Sequence, residues 1–196
     1  MFEVAGLLVL VTMGAAVPAV DEANVMASAD VPTRTADEVA ALLARAKTEG
    51  RLKTARKTRP VDARPAKPGE VVVTVIRDEG KETQSRPAAE GDWVVRNRCP
   101  ETGDEEYLVG ADKFRDKYRR TDAPASSDGW QEFRPVGNDV RFVILSPEAG
   151  SFRFKAPWGE WMVARPGDAL VQDPQDEKDI YRVAKASFAC TYEVVA

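Results

Sequence analysis

The residues best suited to binding a ligand are aromatic and basic side chains that alternate along the stretch from 130 to 161. Aromatic rings among basic side chains can stack on nucleic-acid bases or anchor a peptide. The same rings can instead form a core or the contact between two units. Trp158 is the strongest candidate because it lies at a predicted turn between Pro157 and Gly159. The predicted binding residues are Trp130, Arg153, Lys155, Trp158 and Trp161.

Two aspartates recur in a similar setting, since Asp92 and Asp168 each follow a glycine and precede a hydrophobic run. A carboxylate at such a position could act as a general acid or base. Aspartate also accepts backbone hydrogen bonds in tight turns. A turn is needed in every copy of a unit, whereas an active site is usually single. We therefore expect a structural role for both aspartates and predict no catalytic residue.

The sequence contains no histidine, which excludes Ser-His-Asp and Cys-His catalysis and every zinc site that uses histidine. Acidic residues cluster at 101–106 and 173–179. They lack the spacing of an EF-hand and are typical of solvated hairpin tips, so we predict no metal and no cofactor. Cys99 and Cys190 form no CxxC motif and fall at different places in the two copies, so free thiols are favoured over a disulfide.

Residues 45–67 form a strongly basic segment in a chain whose net charge is -4. Nine Lys and Arg side chains are opposed there only by Glu49 and Asp62. A basic arm on an acidic body can bind nucleic acid or an anionic surface. It can also dock on its own body or remain in solvent. Nucleic acid is therefore a weakly supported partner.

Residues 4–20 are apolar apart from Thr12, and their length is at the short limit for a membrane span. A secretory signal needs a positively charged start, but this chain begins Met-Phe-Glu. The alternatives are a weak signal or anchor, a segment packed on the body or on a partner, and a misassigned start. The missing positive charge narrowly favours a cytoplasmic location, and membrane association through residues 4–20 stays open.

The first element with readable ends is a helix over residues 35–50. Thr35 and Glu38 fit a capping box, in which each side chain accepts a hydrogen bond from a backbone N–H of the first turn. Apolar residues follow at helical spacing, and Gly50 is placed to end the helix. The basic segment 51–69 comes next and contains three prolines, which predicts a linker or extended arm.

The rest of the chain contains two β-rich units, 70–120 and 140–196, joined by a linker over 121–139. Each unit has Gly-Asp and then the pattern Tyr-x6-Phe-x3-Tyr, which begins at Tyr107 and at Tyr181. Gly-Asp predicts a turn that enters a strand, with glycine at positive φ, and the first tyrosine lies on the returning strand. The phenylalanine and the last tyrosine are four residues apart, so they share a face that caps the hairpin.

A strand precedes each of these hairpins, over 71–76 in the first unit and over 140–145 in the second. The second unit adds a further hairpin, which turns near residues 157–159. The predicted fold is α+β and β-rich, with two similar small antiparallel β units packed together and preceded by a helical N-terminal segment.

Within residues 165–192 the run Pro-Gly-Asp-x-Leu-Val, a tyrosine and Phe-x-x-Thr-Tyr resembles a short domain of phage and bacterial hypothetical proteins. The resemblance covers 140–195 well. It covers 71–120 more weakly, because Glu90-Gly91 replaces Pro-Gly there. That domain has no established activity, so the resemblance implies a domain but assigns no functional residue.

Together, the duplicated pattern, the missing histidine and the missing catalytic motifs favour a non-catalytic binding or structural module of unknown ligand. One alternative is nucleic-acid or anionic-surface association through residues 45–67. Another is a carboxylate-based enzyme centred on Asp92 or Asp168. A protein partner or a homo-oligomer is compatible with each of these functions.

Overall fold

The computed structural model of the chain describes residues 31–195. The apolar segment 4–20 lies outside the described residues. Within them the protein has fourteen strands and three α-helices. The strands form two five-stranded antiparallel sheets and two hairpins. The predicted α+β, β-rich class with two similar antiparallel units is therefore confirmed.

The first helix, α1 (Ala36–Thr48), begins at the predicted capping box. The Glu38 N–H donates to Thr35 Oγ1, and the Thr35 N–H donates to the Glu38 carboxylate at 2.7 Å. The helix buries one apolar stripe against a sheet and its hairpin. That stripe consists of Val39, Leu43 and Ala46.

Each five-stranded sheet defines one unit. In spatial order, the first unit consists of β6 (Glu106–Val109), β5 (Trp93–Asn97), β2 (Val61–Pro65), β8 (Gln131–Pro135) and β7 (Tyr118–Arg120). The second unit consists of β13 (Asp176–Val183), β12 (Ala169–Asp173), β9 (Val140–Ile144), β1 (Lys53–Lys57) and β14 (Tyr192–Val195). The strand registers show that the two sheets correspond strand by strand: β6 to β13, β5 to β12, β2 to β9, β8 to β1 and β7 to β14.

Each unit also carries a hairpin, formed by β3 (Val73–Ile76) and β4 (Gly80–Gln84) in the first and by β10 (Phe152–Lys155) and β11 (Trp161–Ala164) in the second. The sequence predicted this hairpin for the second unit only and assigned 71–76 to a main strand. That prediction was wrong, because β2 is the counterpart of β9. The turn at 157–159 is confirmed.

The two units exchange their first strands. β1 comes before the other strands of the first unit in the chain but lies in the sheet of the second unit, between β9 and β14. β8 correspondingly completes the sheet of the first unit. Segments 51–69 and 121–139 were therefore wrongly predicted as linkers. The local signal is weak, because β1 buries only Ala55 and so shows no apolar alternation.

A short helix follows each returning strand: α2 (Ala111–Lys117) and α3 (Lys185–Thr191). The predicted aromatic pairs form there. The rings of Phe114 and Tyr118 stack with centroids 5.1 Å apart, and those of Phe188 and Tyr192 stack at 4.9 Å. The Gly-Asp turns are also confirmed, since the glycines have φ of 85° and 92°, where a side chain would be strained.

A disulfide joins Cys99, just after β5, to Cys190 in α3. The prediction of free thiols was wrong because it compared positions within each unit. The two units face each other, so the end of a strand in one meets a helix of the other. The bond links the units covalently across 91 residues of chain.

A cleft between the two units

A cavity of about 290 Å³ lies between the two units. Its walls come from β6 and α2 of the first unit and from β13, α3 and β14 of the second. All four tyrosines of the chain line it, and Lys57 enters from β1. Ligand pockets have volumes of about 300–1,000 Å³, so this cavity has the size for a small molecule.

The tyrosines form two pairs at equivalent positions of the two units. The hydroxyl oxygens of Tyr107 and Tyr118 are 3.2 Å apart, and those of Tyr181 and Tyr192 are 3.4 Å apart. Burial raises the pKa of all four hydroxyls. They therefore stay neutral at physiological pH and can both donate and accept hydrogen bonds.

Lys57, at the end of β1, is a cavity-lining lysine that bonds to uncharged side chains. Its Nζ donates to Asn97 Oδ1 at 2.9 Å and to the Tyr107 hydroxyl at 2.7 Å. No carboxylate of the described residues lies within ion-pair distance of it. Burial lowers the pKa of Lys57 to about 8, although Glu105 pulls it upwards, and Lys117 adds to the decrease. A lysine ammonium has three N–H donors, so one remains for a ligand.

Behind Lys57, the side chain of Asn97 is held in place by a buried carboxylate. Its Nδ2 donates to Glu105 Oε1 at 2.9 Å, and the Thr102 hydroxyl donates to the other oxygen of the same carboxylate. Lys57 is thus connected to Glu105 only through the amide of Asn97. The amide fixes the position of the amine without neutralising its charge.

Two polar atoms of cavity-lining residues, Ser187 Oγ and Asp179 Oδ1, are buried and have no hydrogen-bond partner within residues 31–195. Ser187 is 4% exposed and Asp179 is 5% exposed. The other oxygen of Asp179 accepts a hydrogen bond from Lys113 Nζ at 2.8 Å. An unsatisfied buried polar atom costs about 1–3 kcal/mol, but neither atom has surface open to the cavity, so a ligand would bond to them only after the side chains moved.

The chemistry of the cavity comes from positions at which the units differ. The tyrosines recur in both units, but the cationic and hydroxyl side chains do not. Lys57 has Pro135 as its counterpart, as the registers of the β1–β14 and β7–β8 pairs show. The other differing pairs are Asn97 and Asp173, Lys113 and Ser187, and Lys117 and Thr191. The fold therefore does not require a lysine at position 57.

Trp158, the strongest predicted binding residue, lines the cavity and is 39% exposed. Its ring lies 5.8 Å from that of Tyr181, and the Lys113 ammonium lies 5.3 Å from its centroid. Because Lys113 also pairs with Asp179, an aromatic ring and a salt bridge meet at one end of the cavity.

The other predicted binding residues do not line the cavity. Trp161 is 50% exposed, and the Arg153 guanidinium lies 5.2 Å from its ring centroid. Lys155 is the strand partner of Trp161 and is also exposed. Trp130 is only 8% exposed and packs in the core of the first unit. The structure thus separates Trp158 from the residues predicted to act with it.

Asp92 and Asp168 have the structural role that the sequence favoured. Each carboxylate accepts the backbone N–H of the residue three positions earlier and that of the first residue of the following helix, at 2.8–3.3 Å. Each is also paired with an arginine, Arg86 at 2.7 Å and Arg182 at 2.8 Å. Neither helix is capped by a side chain of its own N-cap residue, so the aspartate supplies the missing acceptor.

Arg182 is the centre of a buried charge cluster that links the units. Its side chain is fully buried and is paired with Asp168, with Glu79 at 2.7 Å and with Glu82. Both glutamates come from the hairpin of the first unit. Although burial opposes its charge, these carboxylates hold the pKa of Arg182 above its usual range. Burial also raises the pKa of Glu82 to about 7, against the effect of Arg182.

The basic segment 45–67 does not form a separate arm. Its side chains are distributed over α1, β1 and β2, and one of them, Lys57, lies in the cavity. Three of its arginines form ion pairs with carboxylates. These pairs are Arg51 with Glu49, Arg56 with Asp139 and Arg64 with Glu70.

The acidic clusters were predicted as solvated hairpin tips, and this is wrong for two of their members, since Glu105 and Asp179 are both buried. Among residues 31–195 no group of three or more acidic or cysteine side chains is placed to hold a metal ion. None of the helices described is both long and apolar enough to cross a membrane.

The sequence did not identify Lys57, Asn97, Asp179 or Ser187 as site residues. The sequence did carry one signal: each of the four repeated positions has tyrosine rather than phenylalanine, and a buried hydroxyl requires a partner. Comparison with known proteins adds no assignment: no family model, curated protein or solved structure matches this chain.

Proposed function

We propose that the protein is a non-catalytic binding module that holds a small polar organic molecule in the cleft between its two units. The observation that carries the proposal is a lysine without a carboxylate partner on the wall of a cavity that all four tyrosines line. Taking such a charge even partly out of water costs free energy unless it is paired. A bound ligand would offset that cost.

The lining residues define the chemistry of the ligand. Lys57 Nζ offers a hydrogen bond to an oxygen acceptor, such as a carbonyl or a carboxylate. The tyrosine hydroxyls can accept a hydrogen bond from a hydroxyl or amine. The tyrosine rings and Trp158 provide apolar contact for a flat or aromatic body. The favoured ligand is therefore a small aromatic or unsaturated molecule with an oxygen acceptor at one end and a donor elsewhere.

The two alternatives have less support. Association with nucleic acid through residues 45–67 needs a continuous basic surface, but the segment is divided among three elements and several of its charges are paired. An enzyme centred on Asp92 or Asp168 needs a free carboxylate oxygen, but backbone N–H groups and arginines occupy both.

The disulfide gives information about the cellular compartment in which the protein is found. Disulfides persist in oxidising environments and are rare in the cytosol. The Cys99–Cys190 bond therefore supports an oxidising compartment rather than the predicted cytoplasmic location. Membrane association, a protein partner and a homo-oligomer stay predictions.

A ligand-observed NMR screen of small aromatic carboxylates and alcohols tests the binding proposal, with 4-(hydroxymethyl)benzoate as the reference probe. We expect saturable binding that weakens at least about tenfold in Lys57→Met, because a charge-assisted hydrogen bond is worth about 1.5–3 kcal/mol.

The matched control is Lys155→Met, which removes an exposed lysine outside the cavity and should leave binding unchanged. Lys57→Met should unfold at an equal or higher temperature than the original protein, since it removes a partly buried charge that has no carboxylate partner. Loss of binding in that variant would then reflect the site and not the fold. Binding that survives Lys57→Met, or no binding by any compound of the set, would contradict the proposal.

A further inference from the structure

We propose that the amine of Lys57 captures the carbonyl group of an aldehyde or ketone as a reversible imine. This inference rests on the binding function proposed above and narrows its ligand to carbonyl compounds. Lysine amines in apolar pockets are the side chains that form such adducts, because desolvation favours the neutral, nucleophilic form.

The geometry singles out Lys57 among the lysines that line the cavity. Lys113 is paired with Asp179 at 2.8 Å, and Lys117 is paired with Asp173 at 3.5 Å. In each of these two lysines an ion pair holds the nitrogen against a carboxylate oxygen. Lys57 instead bonds to an amide oxygen and a phenol, at 2.9 and 2.7 Å. Both partners can hold the neutral amine as well as the ammonium.

The acidity of Lys57 agrees with this geometry. Burial lowers the pKa of its ammonium to about 8. At pH 7 about one amine in ten is then neutral, whereas an exposed lysine with a pKa near 10.4 is neutral in fewer than about one case in a thousand. The cavity therefore offers a nucleophile at neutral pH.

The neighbouring hydroxyls can carry the proton that the reaction moves. The lone pair of Nζ attacks the carbonyl carbon, and the π electrons of the C=O bond move to the oxygen. That oxygen takes up the proton that the nitrogen loses, and the Tyr107 hydroxyl, 3.2 Å from that of Tyr118, can relay it. The carbinolamine nitrogen then gives up its remaining proton, which the same tyrosine hydroxyls can pass to the carbinolamine hydroxyl; that group leaves as water while the nitrogen lone pair forms the C=N bond. One imine and one water result, with no change in oxidation state.

The test uses 4-carboxybenzaldehyde as probe, with cyanoborohydride to reduce any imine to a stable amine. Peptide mass spectrometry after short incubations at pH 7 gives the labelling rate of each lysine. We expect Lys57 to be labelled at least about tenfold faster than Lys53, an exposed lysine of the same strand. The alcohol analogue 4-(hydroxymethyl)benzoate should slow the labelling of Lys57 and leave that of Lys53 unchanged.

Lys57→Arg keeps the positive charge but lacks the nucleophile. It should still bind the alcohol analogue and form no imine at position 57. Lys57→Met provides a second variant that forms no imine if arginine does not fit the cavity. Labelling of Lys57 no faster than that of Lys53, while the alcohol analogue binds in a Lys57-dependent way, would overturn this inference alone. Failure of both compounds to bind would overturn the proposed function as well.

Discussion

Replacing Arg182 with leucine is expected to lower the free energy of unfolding by about 3–5 kcal/mol, the usual cost of removing one partner from a buried ionic cluster. Three carboxylates would lose their common cation: Asp168, Glu79 and Glu82. The leucine itself should fit, because Leu108 occupies the equivalent position in the first unit. Urea denaturation followed by circular dichroism measures the loss.

The size of this loss should depend on pH. Burial already raises the pKa of Glu82 to about 7, and Arg182 holds it down. Without the arginine the carboxyl pKa rises further in the folded state. A carboxyl group with a raised pKa favours the folded state where it is protonated, so stability falls as the pH rises from above the unfolded value through the folded value. The Arg182→Leu variant should therefore lose more stability at pH 8 than at pH 5.

A matched control is Arg165→Ala. Arg165 also pairs with Glu79, at 3.3 Å, but its side chain is 43% exposed. An exposed pair of this kind contributes about 0–1 kcal/mol. If Arg182→Leu destabilises the protein no more than Arg165→Ala does, the cluster does not link the units in the way described.

Removing the Cys99–Cys190 disulfide is expected to have an effect of similar size. The bond spans 91 residues, and closing a loop of about 100 residues in the unfolded chain is worth about 4–5 kcal/mol. A Cys99→Ala/Cys190→Ala double variant should therefore unfold at a much lower urea concentration. The m-value should rise, because the unfolded chain without the bond is more extended.

The reduced original protein provides the comparison that separates loss of the bond from loss of the sulfur atoms. It should match the double variant to within about 1 kcal/mol, since Cys→Ala truncation of two small side chains adds little. Equal urea midpoints for the oxidised and reduced proteins would contradict the assignment. So would labelling of either cysteine by a thiol reagent in the oxidised protein.

Elements that are stabilised by contacts between residues close together in the sequence could be predicted. The capping box at Thr35, the turns at Gly91 and Gly167 and the hairpin turn at 157–159 all depend on contacts within a few residues. The stacked pairs Phe114–Tyr118 and Phe188–Tyr192 could be predicted for the same reason, because the two rings of each pair are four residues apart.

Features that depend on contacts between the two units could not be predicted from the sequence. β1 buries Ala55 alone and is bordered by exposed basic residues, so its place in the second sheet follows from pairing with β9 and β14. The disulfide depends on the same arrangement. Lys57 is one of nine similar side chains in its segment, and only the strand exchange shows that it enters the cavity.

The exposure of Trp158 could be predicted from the sequence, but the residues that contact it could not. Its exposure followed from a turn between proline and glycine, and it lies at the cavity as a binding residue should. The partners assigned to it were its neighbours in sequence. Its partners in space are Tyr181 and Lys113, which come from another strand and from the other unit.

The proposed binding site in the cleft can be tested by measuring the pKa of Lys57, by NMR of the protein with ¹³C-labelled lysine side chains. One lysine should titrate near pH 8, well below the others, and its signal should be absent in Lys57→Met. Addition of 4-(hydroxymethyl)benzoate should shift the signal of that lysine and leave the signals of the exposed lysines unchanged. If every lysine instead titrates near 10.4, the value of an exposed side chain, Lys57 is not a desolvated amine and the cleft is not the binding site proposed.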